Sequence, residues 1–344
     1  MSKIFTSDPG NPAIKIDFFR VEDAPGVARL FREVYGDGYP ISTYYIPDRL
    51  VEENAAGRII SSVARTPAGE VVGHNALVLM DPGTDYYENA AGAVLPAYNG
   101  QGIFSALFKH TLVNTSKSFN IEGIVGEPVC NHTSTQKMCL QLGFKESGLE
   151  VELMPAAAYG KEQGASNRVS VLLGFFMLKP RAQTVHIPLA YRDELEYLYA
   201  GLAVERTPMF SGDEMPAAGN SQGSMKLFES AQVARITIDG IGPDFELFLA
   251  RLESEACEKG AVIFQVWLTL ASPFTSAATE ILRKHGYFLG GVSPCGRNGD
   301  TLLMQKVCQE PVWENIALYS ERAKKIGDMI RRDWQSITES QMGA

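Results

Sequence analysis

Long apolar runs, paired cysteines and an excess of basic residues are all missing from this sequence of 344 residues. The longest apolar run, 171–178, covers eight residues, whereas a membrane-spanning helix needs about 20. The first twelve residues contain no apolar core of the kind that a secretory signal has. We therefore expect a cytoplasmic protein that neither crosses nor binds a membrane.

The five cysteines are odd in number, and no two of them have the CxxC spacing of a zinc or redox site. This pattern predicts reduced thiols, with neither a disulfide framework nor a bound metal. Acidic residues outnumber basic ones, 40 to 31, which gives a net charge of −9. Because nucleic acid binding needs a basic surface, this charge disfavours a nucleic acid partner. The composition, 45% hydrophobic and 21% charged, is globular, and the length predicts about two domains.

Hydrophobic periodicity in the first half predicts strands and helices in a definite order. That order is strand 14–20, helices 22–35 and 44–56, strands 58–66, 70–80 and 89–96, helix 103–119, strand 122–129, helix 132–142 and strand 144–153. Turn residues separate the strands, and a glycine-rich turn at 97–102 precedes the third helix.

The second half has a similar order. It predicts strand 169–178, helix 190–202, a long mobile loop at 209–223, strand 231–239, helix 243–259, strand 261–270, helix 273–285, strand 301–307 and a final amphipathic helix from Trp313 to Trp334. In each half a helix ends on a glycine followed by an aromatic residue, at Gly143-Phe144 and Gly286-Tyr287. The shared order predicts a diverged internal duplication. We therefore expect a leader at 1–12, a first domain at 13–155, a linker at 156–168, a second domain at 169–309 and a C-terminal helix at 310–338.

The strongest chemical pattern is the segment 93–108, where a strand runs into a turn with Gly100 and Gly102 and the turn opens a helix. Glycine lets backbone N–H groups approach a ligand, and a helix N-terminus adds unpaired donors and a positive dipole end. Such a turn can hold a pyrophosphate. The segment lacks the G-K-[ST] ending of a Walker loop, and Ser105 stands where a dinucleotide fingerprint has its third glycine. A plain glycine-rich turn is the alternative.

This segment resembles motif A of the GNAT acyl-CoA N-acyltransferases, whose usual form is V-x-P-x-x-R-G-x-G-I. The match runs from Val94 to Ile103, and Asn99 replaces the usual basic residue before the first glycine. The resemblance implies that acetyl-CoA is the co-substrate. It implies cofactor contacts at Ala93, Val94, Leu95, Asn99, Gly100, Gln101, Gly102, Ile103, Phe104 and Asn131.

A second block, 126–148, is similar to the next strand and helix of the family. It ends on Gly143-Phe144, as the family pattern does, but Cys139 replaces the usual tyrosine and His132 replaces an asparagine. The resemblance covers about residues 14–154. With the duplication, it implies an α/β (α+β) fold of two GNAT-like domains, each a mixed, mostly antiparallel sheet flanked by helices.

Acyl transfer to an amine needs a base for the ammonium proton and an acid for the CoA sulfur. Glu127, at the end of a predicted buried strand, and His132 are the candidate bases, and Cys139 is the candidate acid. Each has a structural alternative: an ion pair for Glu127, a helix-terminal contact for His132 and core packing for Cys139. A nucleophilic pair of Cys130 and His132 has no identifiable orienting acid, which disfavours covalent catalysis.

Three tyrosines, Tyr35, Tyr39 and Tyr44, lie in the helical segment that borders the acceptor in this family. We expect them to contact the substrate, with ordinary helix packing as the alternative. In the second half, Pro243 and Asp244 occupy the position of the glycine turn. Proline removes a donor and aspartate adds a negative charge, so we expect that domain to bind no CoA.

These patterns predict an N-acetyltransferase that moves an acetyl group from acetyl-CoA to the primary amine of a small molecule or peptide. A non-catalytic acyl-CoA sensor is the alternative, and Asn99 and Cys139 favour it. A Fem-type aminoacyl transferase also pairs two such domains but uses charged tRNA, which the net charge of −9 disfavours. The final helix can pack on its own domain or on a second chain. We expect the former, in a monomer or a homodimer.

Overall fold

The computed structural model describes residues 4–5, 14–39, 41–156, 168–210 and 212–343. The chain divides into two compact units, 1–126 and 127–344. Most of the predicted leader and nearly all of the predicted linker lie outside the described residues.

The described residues of the first unit form a six-stranded sheet and three α-helices. Its strands are β1 (Ile4–Phe5), β2 (Ile14–Phe18), β3 (Ile59–Arg65), β4 (Val71–Leu79), β5 (Tyr86–Val94) and β6 (Gly123–Gly126). Its helices are α1 (Ala24–Tyr35), α2 (Pro47–Ala55) and α3 (Ile103–Ser118). The strands lie in chain order, and all neighbours are antiparallel except the parallel pair β5–β6. The parallel pair is possible because α3 provides the crossover between its strands.

Apolar side chains cover both faces of this sheet. Leu30 and Phe31 of α1 are fully buried, and so is Leu107 of α3. A Cβ atom placed on Gly73 of β4 would lie 2.8 Å from Leu107 Cδ1. Glycine at this position therefore lets α3 pack directly on the sheet.

In the part of the second unit that the structure describes, there are a seven-stranded sheet, a separate strand pair and five α-helices. Its strands are β7 (Lys145–Pro155), β8 (Arg168–Met177), β9 (Gln183–Ile187), β10 (Arg206–Phe210), β11 (Gln222–Phe228), β12 (Val233–Gly240), β13 (Ile263–Thr269), β14 (Phe288–Ser293) and β15 (Thr301–Val307). Its helices are α4 (Ser134–Gln141), α5 (Arg192–Gly201), α6 (Phe245–Glu258), α7 (Thr275–Lys284) and α8 (Glu321–Met342). The sheet order is β8-β7-β14-β15-β13-β12-β11, and β9 pairs with β10 in parallel. Within the sheet only β12–β13 is parallel.

The predicted fold class is confirmed, because both units are mixed, mostly antiparallel sheets flanked by helices. The order of elements in the first half is also confirmed. α2 begins at Pro47, later than predicted, after a short 3-10 turn at Ser42–Tyr45. The extended backbone of Ile46, which precedes the proline, separates the turn from the helix. That the second unit is a copy of a GNAT-like domain stays a prediction.

Two predictions for the second half are wrong in detail. The long loop at 209–223 is shorter, because residues 209–210 belong to β10 and residues 222–223 belong to β11. The final helix begins at Glu321 rather than at Trp313. Ser320 ends the preceding extended segment, and its side chain accepts a hydrogen bond from the Ala323 N–H, which caps the helix at that point.

The predicted packing of the final helix within its own chain is confirmed. Ala323, Ile326, Ile330 and Ile337 of α8 are buried in the main apolar cluster of the second unit. Among the described residues, no helix combines the length and the apolarity needed to cross a membrane.

The division between the compact units lies at residues 126–127, well before the predicted linker at 156–168. One reason is visible within the second unit, where β7 pairs with β8 along most of its length and contacts β14 through Gly148 and Gly291. The domain boundaries at 155 and 169 stay a prediction.

Candidate functional site

The turn between β5 and α3 exposes its backbone. Gly100 and Gly102 have φ angles of 76° and 75°, in the left-handed region that favours glycine. A Cβ atom on either residue would meet no other atom within 4 Å. Open space therefore lies beside both glycines.

Gly102 is the residue before α3, and no side chain caps this helix. The first N–H groups of an α-helix have no partner inside the helix, and their dipoles make this end positive. A helix of 16 residues that starts without a cap next to open space is suited to bind an anion.

The path into this turn is fixed by backbone hydrogen bonds. The Leu95 N–H donates to the Val72 carbonyl at 2.9 Å, and the Tyr98 N–H donates to the Leu95 carbonyl at 2.9 Å. The Asn99 N–H donates to the Pro96 carbonyl at 3.2 Å. These bonds fix the backbone between the end of β5 and the two glycines.

The predicted cofactor residues of the first unit divide by exposure. Ala93, Leu95 and Ile103 are buried, Val94 and Phe104 are half-buried, and Asn99, Gly100, Gln101 and Gly102 are exposed. The exposed residues form the surface of the turn, whereas the buried ones anchor it. A Cβ on Gly92 would lie 2.6 Å from Phe104 Cε2, so glycine lets the start of α3 pack on β5.

The three predicted substrate tyrosines gather around Phe31. Tyr44 is fully buried and stacks on Phe31 with ring centroids 4.6 Å apart. Tyr39 lies edge-on to the same ring at 4.9 Å, and the Tyr35 hydroxyl donates to the Gly92 carbonyl at 2.9 Å. This geometry supports the packing alternative for Tyr44 and leaves Tyr35 and Tyr39 half-buried.

His74 is a residue that the sequence analysis did not single out. It is fully buried in β4, with Nδ1 2.8 Å from the Ala91 carbonyl and Nε2 3.0 Å from Ser61 Oγ. Burial lowers the pKa of His74 to about 4, so the ring is neutral and joins three strands. Ala91 has a φ of 54° at a register shift between β4 and β5, which turns its carbonyl toward the histidine. A single histidine in an apolar strand was the available signal.

The predicted catalytic residues Glu127, His132 and Cys139 all belong to the second unit. Glu127 is half-buried, and burial raises the pKa of its carboxyl group, an effect that nearby Arg235 partly opposes. His132 is exposed, and its Nδ1 accepts the Ser134 N–H at 3.3 Å. Glu127 is therefore the more buried of the two predicted bases.

Cys139 is buried, and burial, with a smaller effect of Glu146, raises the pKa of its thiol to about 12. Such a thiol is a weak proton donor to a leaving thiolate. Burial also raises the pKa of the Cys130 thiol, whose sulfur lies 3.9 Å from the Pro128 carbonyl. A protonated thiol is a poor nucleophile, so the geometry gives no support to covalent catalysis through Cys130.

The helix that carries Cys139 is anchored by a buried glutamine. Gln136 Nε2 donates to the Ala317 carbonyl at 2.8 Å, and Gln136 Oε1 accepts the Tyr319 N–H at 3.0 Å. The Ala317 N–H donates to the Cys130 carbonyl at 2.7 Å. The segment before α8 therefore fixes α4 and the residues that precede it, which include Asn131.

The position in the second unit that corresponds to the glycine turn is filled. Asp244 Oδ1 accepts the Ser221 N–H at 2.7 Å, and the Gly242 N–H donates to Ser221 Oγ at 3.0 Å. A Cβ on Gly242 would lie 2.6 Å from the Ser221 nitrogen. In this turn, Ser221 of the same chain takes up the Gly242 N–H and occupies the space beside it, where a phosphate would have to bind.

A polar cluster inside the second unit also escaped the sequence analysis. The Arg235 Nε donates to Gln265 Oε1 at 2.9 Å, and its Nη2 donates to Glu150 Oε1 at 3.3 Å. Gln265 Nε2 donates to the same carboxylate oxygen at 2.6 Å. Glu150 and Gln265 are fully buried. Among the described residues, no group of three or more His, Cys, Asp or Glu side chains could hold a metal ion.

Neither protein-family models nor curated proteins match this sequence. Solved structures to which the chain is similar include the ribosomal-protein-S5-alanine acetyltransferase of Vibrio fischeri, with 14% identity and a TM-score of 0.40 over 52% of this chain and 96% of that one. The ribosomal-protein-S18-alanine N-acetyltransferase of Escherichia coli has 15% identity and a TM-score of 0.38, over 49% of this chain and 96% of that one. A spermidine N-acetyltransferase mutant from Vibrio cholerae has 12% identity and a TM-score of 0.37, over 48% and 93%. Each likeness spans about half of this chain.

Proposed function

We propose that this chain is an acyl-CoA N-acyltransferase that transfers an acetyl group from acetyl-CoA to a primary amine. The observation that carries the proposal is the turn at Gly100 and Gly102, where left-handed glycines next to open space lead into an uncapped helix. The motif in which these glycines lie resembles the pyrophosphate-binding motif of the GNAT family. A diphosphate fits the donors of this turn, because it needs several N–H groups and a positive helix end.

In this proposal the CoA thioester supplies the activated acyl group, and the protein supplies the site and the base. Glu127 takes a proton from the incoming ammonium, so that the free amine attacks the acyl carbon. A raised carboxyl pKa brings the acid–base equilibrium of Glu127 closer to neutral pH, where a general base is most effective. The amine forms the new C–N bond and the thioester C–S bond breaks. The second amine proton leaves the nitrogen, and the CoA thiolate takes up a proton to leave as the thiol.

A non-catalytic acyl-CoA sensor is the second candidate. The buried Cys139, with its pKa of about 12, stands where the family usually has a tyrosine acid. If nothing protonates the leaving thiolate efficiently, the protein binds acyl-CoA without turning it over.

Release of free CoA thiol from acetyl-CoA, measured across polyamines, amino acids, aminoglycosides and peptide N-termini, separates the two candidates. The proposal predicts turnover with at least one amine, and loss of that turnover in Glu127→Gln with CoA binding retained. Tight CoA binding with no amine-dependent thiol release from any acceptor would favour the sensor.

A further inference from the structure

Two cations lie opposite each other on one face of the second unit's sheet. Lys226 of β11 and Arg235 of β12 are direct partners in an antiparallel pair, so both side chains project to the same face. Like charges in directly opposed positions destabilise a sheet. Their placement therefore calls for a compensating anion.

The structure supplies a negative charge for only one of the two cations. Arg235 contacts the buried Glu150 carboxylate, which balances one of the two charges. Lys226 is exposed, and its Nζ lies 4.7 Å from the centre of the Phe228 ring. Among the described residues, no carboxylate pairs with Lys226, so one positive charge of the pair is left over.

The Arg235 side chain is fixed by hydrogen bonds, yet part of it stays accessible to solvent. Gln265 and Glu150 fix its Nε and Nη2 atoms, and its side chain keeps 27% of its exposure. No hydrogen bond reaches its Nη1 atom from the residues that the structure describes. A preorganised guanidinium with free N–H groups is a receptor for a planar anion such as a carboxylate.

Aromatic rings border the same guanidinium. The Arg235 Cζ atom lies 5.5 Å from the ring centres of both Phe228 and Trp267. The Trp267 Nε1 atom is buried, and no hydrogen-bond acceptor reaches it within the described part of the chain. The site thus combines two cations, a spare N–H donor and apolar walls.

We propose that Arg235 and Lys226 bind a carboxylate of the acceptor, so that the acceptor is an amino acid or a similar amine with a free carboxylate. This inference rests on the proposed function, because it places the amine with Glu127 and the carboxylate with the two cations. Arg235 opposes the rise in the pKa of the Glu127 carboxyl group, so the two residues are near enough to act on each other electrostatically. The other source of an anion is a phosphate of CoA itself.

Matched acceptor pairs test the inference. We would measure kcat/KM with acetyl-CoA for phenylalanine against phenethylamine and for lysine against cadaverine. Charge-assisted hydrogen bonds to the carboxylate should favour the amino acid roughly ten- to hundred-fold. Lys226→Gln should reduce this preference, because it lowers kcat/KM for the amino acid of each pair.

Arg235 needs a paired variant, because its removal alone leaves the Glu150 charge buried and unpaired. The double variant Arg235→Gln/Glu150→Gln removes both charges and should abolish the preference. Arg251→Gln is the matched control, since Arg251 is an exposed arginine that lies against Phe248. It should keep the wild-type preference.

Calorimetry separates this inference from the proposed function. If no amine is turned over, phenylalanine that binds the wild type and not the double variant would still support the carboxylate site, although the enzyme proposal fails. Turnover of amines without preference for those that carry a carboxylate would overturn the inference, whereas the proposed acetyltransferase function would stand. A loss of CoA affinity in Lys226→Gln, with acceptor KM unchanged, would assign the anion to CoA and also overturn it.

Discussion

A buried histidine shows what one residue contributes to the first unit. Both ring nitrogens of His74 have a hydrogen-bond partner, the Ala91 carbonyl and Ser61 Oγ, and the ring lies edge-on to Phe31 and Tyr44. Because burial removes water from the ring, the charged form is disfavoured and its pKa falls to about 4. Protonation of His74 at low pH is therefore expected to destabilise the fold.

We predict that the wild type loses stability as the pH falls from about 6.5 to 4. The folded pKa of His74 is lowered, so the unfolded chain takes up the proton first, and the loss by pH 4 is about 3 kcal/mol. His74→Gln should remove this pH-dependent part in denaturant titrations at several pH values. His132→Gln, at an exposed histidine, is the control and should leave it in place.

Glu127 gives the opposite dependence, because its folded pKa is raised. The proton stabilises the folded state below the unfolded pKa of about 4.3, and this stabilisation is lost as the pH rises through the folded pKa. We predict that Glu127→Gln raises Tm relative to wild type more at pH 8 than at pH 4. Glu196 is exposed and forms a surface ion pair with Arg192, and Glu196→Gln is the control variant, which should not raise Tm at pH 8.

The same substitution tests the chemistry. If Glu127 is the general base, Glu127→Gln should lower kcat about 10²–10⁴-fold with the CoA affinity unchanged. His132→Ala should then affect KM more than kcat. If Glu127→Gln and His132→Ala both kept the wild-type kcat, Glu127 would not be the general base.

Residues of the glycine turn could be predicted from the sequence, because the turn, its glycines and the following helix are contiguous. The cluster of Arg235, Gln265 and Glu150 could not. Glu150 and Gln265 are 115 residues apart in the chain, and no local pattern indicates that two distant strands will bring them together. Only the sheet order places these side chains on one face.

At the scale of single elements, the start of α8 depends on one side chain. Ser320 Oγ accepts the Ala323 N–H at 2.8 Å and donates to Glu146 at 2.7 Å. Removing it leaves a helix donor without its cap and the buried Glu146 carboxylate without this hydrogen bond. We predict that Ser320→Ala lowers the free energy of unfolding by about 1–2 kcal/mol. Ser336→Ala, at an exposed position of the same helix, should change it by less than about 0.5 kcal/mol.

Strands β10, β11 and β14 were missed by the sequence analysis for two physical reasons. β10 and β11 have mostly exposed side chains, so they lack the alternation that a half-buried strand shows. β14 contains Gly290 and Gly291, where a Cβ would lie 2.5 Å from Leu303 and 2.4 Å from Gly148. Glycine is needed there for close approach, and the same glycines hide the strand from a search based on propensity.

At the scale of the whole molecule, each unit contains a parallel pair joined by a helix, β5-α3-β6 in the first and β12-α6-β13 in the second. The similar order of elements in the two halves was predictable because hydrophobic periodicity follows the elements. Pro243 and Asp244 predicted that the corresponding turn of the second unit differs from the glycine turn of the first. The contact of Ser221 with Asp244, which fills the second turn, was not, because Ser221 lies in the segment that was predicted to be a mobile loop.

Titration of the intact protein with CoA tests the central claim most directly. Gly102→Asp places a negative charge at the turn, where it would oppose a phosphate by about 4 kcal/mol at close range. Gly102→Asn has nearly the same size without the charge, and Gly83→Asp carries the charge on a left-handed glycine with the same open surroundings in the β4–β5 turn. We predict that calorimetry shows CoA binding for the wild type and Gly83→Asp, weaker binding for Gly102→Asn, and an affinity at least about 100-fold lower for Gly102→Asp. Wild-type CoA affinity in Gly102→Asp would contradict the account.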